Sequence, residues 1–488
     1  MPDRRHPAAI ALPPQCGRVR SETLNGASMP NVVASIALLI WPLVTLALFS
    51  RLSPGRALLA SLLAGYLLLP PLPAEFDPPL LPSLNKDTIP SLSVLFAALA
   101  LGRVRLSELV PRHPLIRIAL VAFLLSPLMT VLSNDDALRY GPRQLPALRL
   151  AEVPGLVILQ ALLVTPFLLA RVFLREARDH RLLLWAMVLG ALAYTLPILI
   201  EIRLSPQINI WVYGYCQHSF SQMVRGDGFR PIVFLYHGLW VAFFALTAIL
   251  AAISLFRGDV QGKRRSMKFL LAGIYLFAVL VLCKSLASLL YAVALVPVLL
   301  FLSTRFQLRV AFVLMLLAVT YPVLKGNNMV PEQAILNQAY QIDPERAGSL
   351  LFRLENEYYL LARAERKPML GWGSFGRNLI YSSDGRLLTV PDGRWVIVFG
   401  TYGWIGYLAE FGLLSLPLFL LLLRIRGVPN ESLPPWLGGM SLILAINMID
   451  MLPNATLTPL TWLMAGSLLG YAQTVRVKRA QTRLQSVM

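Results

Sequence analysis

The chain has 488 residues, 56% of them hydrophobic and only 14% charged, with a mean hydropathy of +0.63. A soluble protein of this size has too little interior to hide so much apolar surface, so the composition excludes a soluble globular class and indicates a polytopic membrane protein. The formal net charge of +19 comes from basic residues scattered between apolar runs with no continuous basic face, which argues against nucleic acid as a partner and fits loop arginines facing anionic lipid.

Residues 1–30 form a polar, proline-bearing tail with Arg4, Arg5, Arg18 and Arg20 and no apolar core of the signal-peptide kind. Met29 directly precedes the first apolar run and is an alternative start. Apolar runs then predict spans at about 31–50, 56–73, 89–106, 115–133, 153–174, 182–200, 231–256, 268–283, 286–303, 308–324, 396–423, 435–450 and 457–475. The expected fold class is an all-α polytopic membrane protein of about 12–13 transmembrane helices with one large, partly helical loop. Its parts are a bundle at 31–324, the polar loop domain at 325–395, helices at 396–475 and a basic tail at 476–488.

Alternate breaks between spans are rich in arginine: Arg51/Arg56, Arg103 to Arg117, Arg171 to Arg181, Arg257 to Lys268, Arg305/Arg309, Arg424/Arg426 and Arg476 to Arg483 hold 23 of the 44 basic residues. The positive-inside rule makes these breaks and the C-terminus cytoplasmic, and puts 74–88, 134–152, 201–230 and 325–395 outside. Thirteen spans leave the arginine-bearing tail outside, against that rule; a start at Met29 removes most of the conflict. Pro42, Pro127, Pro166, Pro197, Pro297 and Pro417 within spans predict kinks, as in a bundle enclosing a cavity. Cys16, Cys216 and Cys283 have neither metal-ligand spacing nor an even-numbered disulfide framework, and no histidine pair sits one helical turn apart, so neither metal nor cofactor is expected.

Three outer stretches carry candidate chemistry. Arg225 and Arg230 flank Gly226 and Gly228 at the mouth of the seventh span, with His218 before them and His237 about two turns inside the span. One boundary arginine is an ordinary snorkelling anchor. Two, on the side where positive charge is disfavoured, point to an anion, which guanidinium grips through paired hydrogen bonds. A buried histidine bonded to a neighbouring helix is the plain alternative for His237. Lys284 with Ser285 makes a tight outer turn between the eighth and ninth spans, and an ionisable group there is a functional candidate, or else a topological turn lysine.

In the long loop, Arg353 to Pro368 places Leu354, Tyr358 and Leu361 at helical spacing among Arg353, Arg363 and Arg366, predicting an amphipathic helix on the membrane or over a cavity. The glycines of Leu370-Gly371-Trp372-Gly373-Ser374-Phe375 permit a tight turn that brings amides close to a ligand. Asp392-Gly393-Arg394 ends the loop, with Asp392 either a turn residue or a proton acceptor.

Arg353, the run Pro368-Met369-Leu370-Gly371-Trp372-Gly373 and then Glu410-Phe411-Gly412-Leu413-Leu414 resemble the bacterial O-antigen ligase and O-antigen polymerase superfamily of membrane glycosyltransferases. The match covers roughly 210–425. Arg225 or Arg230 matches that family's arginine before a mid-chain span, while Cys283-Lys284 replaces its Ser-Arg pair. The late loop histidine of ligases is absent from Val390 to Trp395, which favours a polymerase-like or divergent member.

The resemblance implies the bacterial inner membrane, a periplasmic large loop, an undecaprenyl-pyrophosphate-linked glycan as donor, and a glycan or lipid A-core as acceptor. Arg225, Arg230, Lys284 and Arg353 are then expected to stabilise the departing pyrophosphate, with Asp392 as base and His237 and His218 behind it. His218, Arg363, Arg366, Trp372 and Arg394 are the expected substrate contacts. A flippase for an anionic lipid-linked glycan and a non-catalytic envelope subunit are the rival readings.

Overall fold

The computed structural model describes residues 29–225, 228–261 and 267–485, so the polar tail at 1–28 lies outside the described residues. Its helices are α1 (Val32–Arg51), α2 (Pro54–Leu68), α3 (Ile89–Ala100), the single turn α4 (Leu106–Leu109), α5 (Pro114–Leu132), α6 (Val153–Phe173), α7 (Ala177–Leu204) and the short α8 (Ile208–Tyr213). They continue with α9 (Gly238–Gln261), α10 (Met267–Leu282), α11 (Leu286–Phe301), α12 (Thr304–Gly326), α13 (Glu332–Ile342), α14 (Pro344–Ala364), α15 (Arg394–Arg424), α16 (Pro435–Asp450) and α17 (Pro459–Gln485). Two small hairpins, β1 (Leu138–Tyr140) with β2 (Arg143–Leu145) and β3 (Val224–Arg225) with β4 (Gly228–Phe229), and short 3-10 turns at Leu150–Glu152, Phe220–Gln222 and Asn430–Ser432 complete the regular structure of the described residues.

Each predicted span falls on one helix. α1, α5, α6, α7, α9, α12 and α15 are long and apolar enough to cross a membrane, while α2, α3, α10, α11 and α16 are shorter apolar helices. The chain is thus an all-α polytopic membrane protein. The six prolines predicted to kink spans all lie inside helices.

The burial of each helix follows its composition. α9 is apolar all round, and 83% of its most apolar window is buried, against 28% for α1. A helix with no polar face belongs in the interior, and α9 packs against α7, α10, α11 and α16. α17 packs along α6, α12 along α16, and α15 between α5, α12, α14 and α17.

The breaks sort into two faces. On one, Tyr213 donates to the Leu68 carbonyl (2.6 Å), Lys284 Nζ to the Arg225 carbonyl (2.7 Å), and Arg377 to the carbonyls of Pro146 (2.7 Å) and Asp136 (2.9 Å). On the other, Arg103 donates to the Phe49 carbonyl (3.2 Å), Arg257 to the Leu299 carbonyl (2.7 Å), and Arg181 pairs with Asp259 (3.3 Å). The arginine-rich breaks therefore gather at one end of the bundle, and the breaks that include 325–395 gather at the other.

The most consequential local feature is a break in α15, where Gly403 takes φ +63 and ψ −162. That conformation disrupts the helix ladder and frees backbone groups, which the run after Pro368 engages. The Trp372 and Gly373 amides donate to the carbonyls of Gly400 and Thr401 (both 2.9 Å), and the Trp404 amide donates to the Pro368 carbonyl (2.7 Å). A Cβ on Gly403 would stand 2.3 Å from the Met369 carbonyl carbon, so only glycine admits this approach. This corrects the expectation for the glycine-bearing turn: its amides close a break in a helix and are not presented to a ligand.

Candidate functional site

The approach to α9 fixes the site. Residues 230–237 are not helical, because long-range side chains engage their backbone before a helix can. The buried Glu201 carboxylate accepts from the amides of Ile232 and Val233 (both 2.8 Å) and Ile208 (3.1 Å). Tyr194 accepts from the Phe234 amide (3.1 Å), Gln217 donates to the Val233 carbonyl (2.8 Å), and Lys86 donates to the Phe234 carbonyl. Apart from the bond to the Ile208 amide, which opens α8, these bonds satisfy backbone groups of the segment that would otherwise start a helical ladder. As a correction, His237 therefore sits immediately before α9 and not two turns inside a helix.

This loop assembles the cations. Arg225 ends β3, and Arg230 donates to the Lys284 carbonyl (3.2 Å) while Lys284 Nζ returns to the Arg225 carbonyl. Lys284 holds φ +54 in the turn between α10 and α11. Gly228 makes room for it, since a Cβ there would stand 2.8 Å from Lys284 Nζ. The rings of His218 and His237 meet edge to face at 4.8 Å, and His237 Nδ1 accepts from the Leu239 amide (3.0 Å). Burial first, and then the charges of His218, Arg230, Arg353 and Arg225, push His237 down to about 3, so its imidazole is neutral with the proton on Nε2.

Arg353 reaches this cluster from α14. Its Nε lies 3.5 Å from Asp392 Oδ2, in the last residue before the Gly393 cap of α15. Burial pushes the Asp392 carboxyl up, and Arg353 opposes the shift. Asp450, buried at the end of α16, lies within Coulombic range of the same arginine and accepts from Thr456 (2.7 Å) and Asn454 (3.1 Å).

The structure thus brings Arg225, Arg230, Lys284, Arg353, Asp392, His218 and His237 into one region. Arg363 lies ten residues, about 15 Å, farther along α14 from Arg353. Its guanidinium covers the Trp372 ring at 3.6 Å, and the Trp372 indole donates to the Arg363 carbonyl (2.8 Å). Arg366 is exposed just beyond the end of α14. Arg394 grips Glu410 through two bonds of 2.7 and 2.6 Å.

A cavity of about 630 Å³ opens at the start of α15, with Arg394, Asp87, Glu152, Trp240, Phe375 and Trp462 in its wall. Asp87 accepts from Tyr236 (2.7 Å), so the loop that carries His237 also shapes this cavity. Carboxylates, one guanidinium and aromatic faces make it suited to a polar ligand with apolar faces.

Sequence reasoning did not single out several residues that hold these parts together. Glu201 is an acid inside an apolar run, and that rarity was the available signal. Arg377 is fully buried and donates to three carbonyls, those of Trp372, Pro146 and Asp136, tying the β1–β2 loop to the long segment. Glu357, also buried, joins three helices by accepting from Tyr321 (3.2 Å) and Trp395 (3.3 Å). Asp450 had a signal too, as an acid closing an apolar run.

No family model and no curated protein matches the chain.

Proposed function

We propose that this protein is a multi-pass glycosyltransferase of surface polysaccharide assembly, which polymerises or ligates polyprenyl-pyrophosphate-linked glycans at the face bearing 325–395. The positive-inside rule puts that face outside, and the resemblance implies that the membrane, crossed by the apolar helices, is a bacterial inner membrane with this face periplasmic. The observation that carries the reading is the gathering of Arg225, Arg230, Lys284 and Arg353 around Asp392 and two histidines.

In this reading an acceptor hydroxyl oxygen attacks the anomeric carbon while the bond from that carbon to the pyrophosphate oxygen breaks. The electron pair leaves with the pyrophosphate, where fixed cations meet the growing charge. The hydroxyl proton passes to Asp392. His237, neutral and carrying its proton on Nε2, offers a donor and no base. The cavity beside Arg394 takes the acceptor sugar.

A deletion strain tests the reading. Accumulation of lipid-linked single units supports a polymerase, and accumulation of finished lipid-linked polymer supports a ligase. Units trapped on the inner leaflet would assign the protein to a flippase, and an unchanged glycan would sink the proposal.

A further inference from the structure

Two cavities at the arginine-rich face share a wall. The first, about 690 Å³, lies at the start of α2 and α7 and is lined by Arg56, Arg175, Arg178 and Arg181, together with Glu176 and Asp179. The second, about 800 Å³, is an apolar groove between α2 and α7, walled by Leu59, Leu63, Leu67 and Leu189. Arg56, Leu182 and Trp185 line both.

The charges in the first cavity are unequally engaged. Arg178 pairs with Glu176 (3.1 Å), Arg181 with Asp259 (3.3 Å), and Asp179 accepts from the Glu176 amide (2.9 Å). Arg56 and Arg175 are exposed, and among the described residues no carboxylate lies at ion-pair distance from either. They leave a positive end on a space that continues into hydrocarbon.

The groove is more than long enough for one acyl chain. Along α7 it runs from Leu182 to Pro197, about 22 Å by helical rise, whereas one leaflet supplies about half of a roughly 30 Å hydrocarbon core. Its floor is closed where Gly190 lets α2 approach, since a Cβ there would stand 3.1 Å from Leu63. Trp185, 41% exposed, stands at the junction of the two cavities, the depth at which indoles settle at a membrane interface.

We propose that this composite site holds an anionic phospholipid of the surrounding leaflet, its phosphate against Arg56 and Arg175 and one acyl chain along the α2–α7 groove. Paired hydrogen bonds from guanidinium suit the phosphate, and the apolar walls suit the chain. The site lies at the opposite end of the bundle from the Arg353 cluster and stands whether or not the glycan reading does.

The test uses the full chain in phosphatidylcholine nanodiscs containing a minor fraction of acyl-brominated lipid. Trp185 emission is isolated by difference from the Trp185→Phe variant. Brominated phosphatidylglycerol should quench Trp185 several-fold more than the same fraction of brominated phosphatidylcholine. The Arg56→Gln/Arg175→Gln variant should lose that preference, each arginine being worth about fivefold in affinity for the anionic lipid, and Ala193→Phe, at an exposed groove position, should lower quenching by both lipids. Equal quenching by the two lipids, or a preference that survives the double variant, overturns the proposal. Stronger quenching by a brominated polyprenyl phosphate than by phosphatidylglycerol also overturns it, and assigns the groove to another lipid.

Discussion

Arg353 and Asp392 face each other at 3.5 Å, the arginine from α14 and the aspartate from the residue before the cap of α15. Two segments about forty residues apart in the chain are thereby joined at the centre of the candidate site.

This pair predicts a pH dependence. Burial raises the Asp392 carboxyl and Arg353 lowers it, so Arg353→Gln leaves burial unopposed and raises it further. A base must be ionised, so activity is lost as pH falls through this pKa. The acid limb of the pH–rate profile should therefore lie at higher pH in Arg353→Gln than in the parent, and Asp392→Asn should abolish glycan extension while inserting normally.

His237 predicts a stability trend. Its pKa is lowered in the folded protein to about 3, so the folded state binds fewer protons than the unfolded state between the ordinary histidine value and that level. Stability is full above the unfolded value of about 6.5 and falls as pH drops below it. His237→Asn, whose amide oxygen can still accept from the Leu239 amide, should show a shallower loss of melting temperature from pH 7 to pH 4 in detergent, at about those endpoints.

Glu410 is 1% exposed and holds Arg394 by two short bonds. Glu410→Ala leaves a guanidinium without its partner and should cost about 3–5 kcal/mol in unfolding measurements. The double variant Arg394→Met/Glu410→Leu should recover much of that loss, because it removes the stranded charge.

Gly403→Ala tests the break in α15. A residue with a side chain is disfavoured by about 1–3 kcal/mol at this φ and ψ, a region essentially restricted to glycine, and the added carbon meets the Met369 backbone. Segment 368–373 should undock, and limited proteolysis between residues 325 and 395 should accelerate, while the same change at exposed Gly348, with open space around it, should not.

The membrane pattern was legible because each span is a continuous apolar run, and a run of that length has few other folded forms. The alternation of arginines also separated the two ends of the bundle. What sequence could not give was backbone behaviour set by distant partners. Residues 231–237 read as the opening of an apolar span, yet Glu201, Tyr194 and Lys86 hold them out of the helix. Gly403 lies in an equally continuous run, and its break depends on a segment more than thirty residues earlier.

The site divides along the same line. Arg225, Arg230, Lys284, Arg353 and Asp392 were visible as charges on one side of the membrane pattern, where each needed an explanation. Arg363 and Trp372 were equally conspicuous, but their charge and ring are turned on each other. Nothing in the sequence marks Arg377, since only the fold reveals the three carbonyls around it.

The central claim is that the cation cluster serves transfer of a glycan from a polyprenyl pyrophosphate. The most direct measurement is glycan extension by the purified protein in proteoliposomes supplied with such a donor. The parent should form extended or transferred glycan with release of polyprenyl pyrophosphate, and Arg353→Ala should slow it by about 100- to 1,000-fold, equivalent to about 2.7–4 kcal/mol of lost transition-state stabilisation. Full activity in Arg353→Ala, or intact donor after incubation with folded parent protein and acceptor, would contradict the account.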